Sequence, residues 1–104
     1  MTLLQQIQAA IRFTEFGLTL HTQQQMTARS IRVSEVRTTL LAADADIIED
    51  YPEDSRGPSC LVYGTASDRT LHVHVSYPPE IVVITAYEPD PIKWELDLKT
   101  RKRV

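Results

Sequence analysis

From Leu3 the apolar residues Leu3, Leu4, Ile7, Ala10 and Ile11 recur at the spacing of one helix face. Thr2 and Gln5 stand in front of them as a capping box, so the pattern predicts a helix over 3–13. Gly17 interrupts it. A second helix is predicted over 20–29, carrying Met26 among polar residues. A third, capped by Ser34, carries Val36, Leu40 and Leu41 on one side.

From Ile47 the period shortens to that of a strand. Ile47 to Tyr51 is expected to be a short first strand. Pro52 to Pro58 is a loop, because two prolines and a glycine do not sustain a ladder. Cys60 to Thr65 follows as a second strand, and Ala66-Ser67-Asp68-Arg69 as a tight hairpin. In the third strand, Thr70 to Tyr77, Leu71, Val73, Val75 and Tyr77 share one face and Thr70, His72, His74 and Ser76 the other. Pro78-Pro79-Glu80 turns the chain into Ile81 to Tyr87, which is apolar on both faces and is expected to be central. Beyond it, Asp90-Pro91 has the form of a helix start, yet Ile92, Trp94, Leu96 and Leu98 alternate with charged residues. A turn over 89–93 and then an extended edge segment are expected. Helices followed by four consecutive strands give an α+β fold: a four-stranded antiparallel meander with N-terminal helices packed on one face.

A length of 104 residues sets one domain as the expectation, residues 1–17 forming an N-terminal helix and linker. A chain of that size has little room for a deep cavity, so any site is expected to be a shallow groove. No apolar run reaches the roughly 20 residues that span a bilayer, and the start lacks the charged n-region of a signal peptide. A cytoplasmic protein is expected, with the single Cys60 a reduced, buried thiol. The net charge of −3 is unevenly spread: Asp44, Asp46, Glu49, Asp50, Glu53 and Asp54 crowd one stretch, and Lys99, Arg101, Lys102 and Arg103 the tail. A polyanion would meet the tail and be repelled by the acidic stretch.

His72 and His74 are the sharpest local feature. Two residues apart on a strand, they point the same way, and with His21 they make a zinc site conceivable. The alternatives are a polar sheet face, half exposed, and a metal-free imidazole acting as acid or base. His21, Gln25 and Arg29 share one side of the second helix, where an imidazole and a guanidinium could line an anion groove or simply face solvent. Thr85 and Tyr87 lie on one face of the last strand, and Trp94 reads as a core anchor. Phosphate-cradling glycine loops, paired zinc cysteines and nucleophile elbows are missing from the sequence, so no cofactor is expected.

Leu18-Thr19-Leu20-His21, then Met26, Arg29, Ile31 and Val36, resemble the opening signature of a bacterial domain-of-unknown-function family, numbered 4258. A second block is closer: Tyr51-Pro52, Arg56-Gly57-Pro58-Ser59-Cys60-Leu61-Val62, Leu71-His72-Val73, Ile84-Thr85-Ala86-Tyr87-Glu88-Pro89-Asp90-Pro91 and Lys93-Trp94-Glu95. The resemblance covers about 18–103 and leaves the first helix outside it. It implies a distant likeness to RelE and BrnT toxins, small ribonucleases with helices followed by an antiparallel sheet. It also implies an MqsA-like zinc-binding antitoxin as partner. Carried onto this chain, the recurring polar positions are His21, Arg29, His72, Thr85 and Tyr87. Three positions depart from relatives: His74 replaces an apolar residue, Gln25 an arginine, and Ser30 the glycine after the helix-ending arginine.

The resulting expectation is a metal-independent ribonuclease, the toxin of a type II toxin–antitoxin system. His72 and His21 would be base and acid, Arg29 the charge stabiliser and Tyr87 a positioning group, while Thr85, Arg101, Lys102 and Arg103 would hold RNA. A non-catalytic interaction domain is the rival, favoured by the acidic stretch, with a metal-dependent hydrolase third. The ribonuclease expectation requires His21, Arg29, His72 and Tyr87 to converge on one groove.

Overall fold

The computed structural model describes residues 1–103. Its elements run α1 (Leu3–Phe13), β1 (Gly17–Leu18), α2 (Leu20–Ala28), α3 (Val33–Leu41), β2 (Asp46–Tyr51), β3 (Ser59–Ala66), β4 (Arg69–Ser76) and β5 (Val82–Tyr87). The capping box at Thr2 is present: its hydroxyl accepts from the Gln5 amide, and the Gln5 side chain accepts from the Thr2 amide. Ile7 and Ile11 on α1 are buried with Val36 and Leu40 of α3 and with Leu71, Val73, Val75 and Val83 of the sheet. The first helix is thus part of the core.

The sheet is α+β as expected but has five strands in the order β1-β5-β4-β3-β2, and it is mixed. β2 to β5 form the antiparallel meander, while Gly17 and Leu18 pair in parallel with Val82 and Val83 of β5. A two-residue strand has no period to read, which is why Gly17 looked like a simple break. β1 makes β5 an interior strand by covering its outer edge at Val82 and Val83. Serine 34 does not cap α3. Arg32 occupies the cap position, and the Glu35 side chain reaches back to accept from its amide at 2.9 Å.

Two register shifts aim side chains. One between Ile47 and Glu49 puts Ile47 toward the core and Glu49 on the opposite face. The other, where β5 carries Ile84 between the partners of His74 and Val75, leaves β5 carbonyls for α2: the buried Thr22 hydroxyl donates to Ile84 at 2.9 Å. α3 lies so close to β3 that a Cβ on Gly64 would collide with the Thr39 carbonyl oxygen and sit 3.0 Å from Thr39 Cγ2. Only glycine fits there.

α2 ends in a Schellman motif. The Ile31 amide donates to Met26 O at 2.8 Å and the Ser30 amide to Thr27 O at 3.1 Å, with Met26 and Ile31 both buried. This geometry puts Ser30 at φ 56°, the left-handed region that costs a residue bearing a Cβ roughly 1 kcal/mol. The Ser30 carbonyl is also held, by Arg69 Nη2 at 2.7 Å. Arg69 further grips both oxygens of Glu35 and one of Glu88, tying the hairpin to α3 and β5. The Arg69 hydrogen bonds hold the Glu35 carboxyl down to about 2. Ser30→Gly is predicted to stabilise the fold by about 0.5–1 kcal/mol, read as a higher urea midpoint with an unchanged slope.

Candidate functional site

The helices cover one face of the sheet. The other carries Glu49 and Tyr51 of β2, Ser59, Leu61 and Tyr63 of β3, His72 and His74 of β4, and Thr85 and Tyr87 of β5, in register. The segment after β5 folds across part of this face as a strap. It is not an extended edge segment: among the described residues its only ladder contact is the single bridge between Trp94 and Arg101. The turn at Asp90-Pro91 forms as expected, with the Lys93 and Trp94 amides donating to Asp90 O. The next stretch curls because Asp97 captures the Lys99 and Thr100 amides at 2.9 and 3.0 Å, with Leu98 at φ 58°. The alternation of Ile92, Trp94, Leu96 and Leu98 therefore does not mark a buried strand face: Trp94 is buried, as expected of a core anchor, while Ile92 and Leu96 are exposed.

His72 is what the strap covers. It is fully buried rather than half exposed, with the Trp94 ring edge-on at 4.5 Å and Tyr87 edge-on at 5.3 Å. Its Nε2 lies 2.6 Å from the Leu98 carbonyl oxygen, which can only accept, so Nε2 carries the hydrogen. Nδ1 then accepts from the Tyr87 hydroxyl at 3.3 Å. Both nitrogens are used, which leaves His72 no lone pair for a metal and no access to a substrate. Among the described residues no three His, Cys, Asp or Glu side chains are grouped to hold a metal ion.

Beside the strap lies a cavity of about 350 Å³ lined by Tyr51, Asp54, Leu61, His74, Thr85, Tyr87 and Arg101. Thr85, Tyr87 and His74 line it, and His72 does not. Arg29, at the end of α2, holds the β5 wall, donating to Ala86 O at 2.9 Å and to the Thr85 hydroxyl at 3.3 Å. His21 is exposed and is joined to the wall only through Gln25, whose amide nitrogen donates to His21 Nε2 at 2.9 Å and whose oxygen accepts from Thr85 at 2.9 Å. The convergence expected of His21, Arg29, His72 and Tyr87 is not met: of the four, Tyr87 alone lines the cavity, Arg29 and His21 are joined to its wall through Thr85 and Gln25, and His72 is sealed beneath the strap. Of the basic tail, Arg101 alone lines the cavity, and its fork is closed on Glu49 at 2.6 and 3.0 Å over the Trp94 ring. Lys102 and Arg103 are exposed outside it.

Tyr51, Asp54 and Ser59 were not singled out by sequence reasoning. Tyr51 packs its ring edge-on to His74 at 5.6 Å and donates its hydroxyl to Glu49. Asp54 is turned inward by the 52–58 loop, its carboxylate accepting from the Arg56 amide at 3.0 Å. The run Tyr51-Pro52 to Arg56-Gly57-Pro58-Ser59 was the available signal, since a loop with this turn chemistry must aim something. Cys60 faces the opposite side, buried in the core, and burial pushes its thiol up to about 12, so it is inert.

Burial lowers the pKa of His72 below 6.5 against the pull of the Leu98 carbonyl, and burial lowers that of His74 against Asp54. Burial raises that of Tyr87, keeping its hydroxyl protonated. The folded chain then binds fewer protons than the unfolded chain just below pH 6.5, so stability is complete above that value and is lost as pH falls through the depressed folded values. The Glu35 contribution is lost separately, only below about pH 4.5. The urea midpoint is predicted to fall between pH 7 and pH 5, with a shallower fall in His72→Gln. A flat midpoint over that interval would contradict the buried neutral imidazoles.

A family model described as domain of unknown function, DUF4258, matches residues 18–88, which takes in α2 to β5 and leaves α1 and the strap outside. No curated protein and no solved structure matches the chain.

Proposed function

The chain belongs to the DUF4258 family, and from that premise we propose that the cavity beside the strap is a metal-independent RNA-cleaving site of RelE/BrnT type. The observation that supports this reading is the meeting of one neutral imidazole, two phenols and a guanidinium around a single cavity, His74, Tyr51, Tyr87 and Arg101, with a second guanidinium, Arg29, hydrogen-bonded to Thr85 in its wall. Transesterification of RNA needs those group types. A base takes the 2′-hydroxyl proton, the freed oxygen attacks phosphorus, and an acid protonates the departing 5′-oxygen, leaving a 2′,3′-cyclic phosphate. Cationic hydrogen-bond donors stabilise the charge that builds on the phosphorane oxygens.

The assignment departs from the one made on sequence. His74, half buried and lining the cavity, is the base in place of the sealed His72. Tyr87 is the acid: its hydroxyl donates to His72 Nδ1 at rest and gives its proton to the departing oxygen when it turns. Arg29 is the charge stabiliser, since Arg101 is already neutralised by Glu49. His21 binds RNA. Under this reading the chain is the toxin of a type II toxin–antitoxin pair, with a zinc-binding antitoxin of MqsA type as its partner.

The rival reading is a non-catalytic interaction domain. Asp54 in the cavity and the Arg101–Glu49 pair favour it, because both reduce the attraction for a polyanion.

Purified protein added to RNA or to a translating lysate is expected to leave 2′,3′-cyclic phosphate ends. His74→Ala should lower the rate by about 10²–10⁴-fold, the span of a general base. Induced expression should be toxic and relieved by the neighbouring antitoxin gene. Equal cleavage by wild type and His74→Ala removes the base assignment; no cleavage together with harmless expression leaves the interaction domain.

A further inference from the structure

The His74 imidazole is not simply present in the cavity; its ring is held in one chemical form from behind. His74 Nε2 lies 2.8 Å from the Ser59 hydroxyl oxygen, on the neighbouring strand. Ser59 Oγ lies 3.4 Å from Asp54 Oδ2. The Asp54 carboxylate is fixed in turn, since its other oxygen accepts from the Arg56 amide and its carbonyl from the Gly57 amide at 2.9 Å. The Arg56 amide, the largest influence, holds the Asp54 carboxyl below its ordinary value, so it is ionised and accepts only.

The 3.4 Å contact to Asp54 and the 2.8 Å contact to His74 compete for the single Ser59 hydrogen, and the charge of the carboxylate favours the first. A hydroxyl has one hydrogen, and facing a carboxylate it gives that hydrogen to Asp54. Its lone pairs are then what His74 meets, and Nε2 is the nitrogen that donates to them. Nδ1 is left with its lone pair, and among the described residues nothing donates to it. Ser59 is itself buried, 1% exposed, so it cannot act as a nucleophile on any substrate in the cavity. Ser59 and Asp54 fit one task, which is to orient the ring.

We infer that Ser59 and Asp54 are positioning residues that lock His74 as the Nε2–H tautomer and present Nδ1 as the proton acceptor of the site. The role in proton abstraction rests on the ribonuclease reading above; the locked tautomer does not. The groups facing this imidazole are Glu49 and Tyr51 from β2, Asp54 and Arg56 from the loop, Ser59 from β3 and Thr85 from β5. When the Nδ1 lone pair takes the 2′-hydroxyl proton, the ring becomes an imidazolium. Its Nε2–H remains on Ser59, and Asp54 stabilises the new charge without taking the proton.

Two measurements separate this inference from the activity itself. Nitrogen-15 spectra of the full chain should show a slowly exchanging His74 Nε2–H proton in wild type and in Ser59→Thr, lost in Ser59→Ala. In RNA cleavage, Ser59→Ala should lower kcat on the order of tenfold with KM unchanged, a part of the 10²–10⁴ that a general base supplies. Ser59→Thr should restore most of it. A wild type inactive on RNA that still shows the bonded proton, lost in Ser59→Ala, upholds the locked tautomer and overturns the ribonuclease reading. A His74 protonated on Nδ1, or a Ser59→Ala variant with unchanged spectra, overturns the inference.

Discussion

The hydrogen bond from His72 to the Leu98 carbonyl, 2.6 Å long on the face of the sheet away from the helices, is the contact on which the site depends. A histidine in the middle of a sheet face would ordinarily face water. Here the chain returns after β5, lays Trp94 over the ring and supplies a carbonyl to its Nε2. The Leu98 backbone is left-handed to do so, a strain that persists because Asp97 and His72 fix it from both sides. With that bond made, Nδ1 can only accept, and Tyr87 is turned to donate to it. The same strap carries Arg101 to Glu49, which closes one wall of the cavity.

Seen this way, the two histidines of β4 divide the labour. They share a face and a chemistry but not an environment. One is sealed and organises Tyr87 and the strap; the other stays half open in the cavity and is held by Ser59. α2 contributes from the side, anchored to the β5 bulge by Thr22, so that Gln25 and Arg29 meet Thr85. Gln25 bridges His21 to Thr85 of the sheet.

Much of this arrangement was legible before any coordinates, and the failures are physical. The alternation of Leu71, Val73 and Val75 against His72 and His74 put each side chain on its true face, because a strand's period is imposed by the backbone. The capping box at Thr2 and the hairpin at Ser67 were equally local and equally readable. The β1 strand was not, since two residues carry no period. The strap was misread because Asp90 and Asp97 compete for nearby amides, and such local capture overrides alternation. The exposure of His72 was misjudged for a related reason: what buries it, Trp94 and Leu98, lies more than twenty residues further along the chain. The loop that turns Asp54 toward Ser59 announced itself only by its prolines and glycine.

The central claim is that His72 pins the strap and thereby shapes the cavity. Amide hydrogen exchange tests it most directly, at Glu95 and Lys102, whose amides donate within the strap to Thr100 and Lys93. Both should be protected by at least about 10²-fold in wild type and unprotected in His72→Ala, while β3 and β4 stay protected in both. Exchange at free-peptide rates in wild type, or protection that survives the loss of His72, would contradict it.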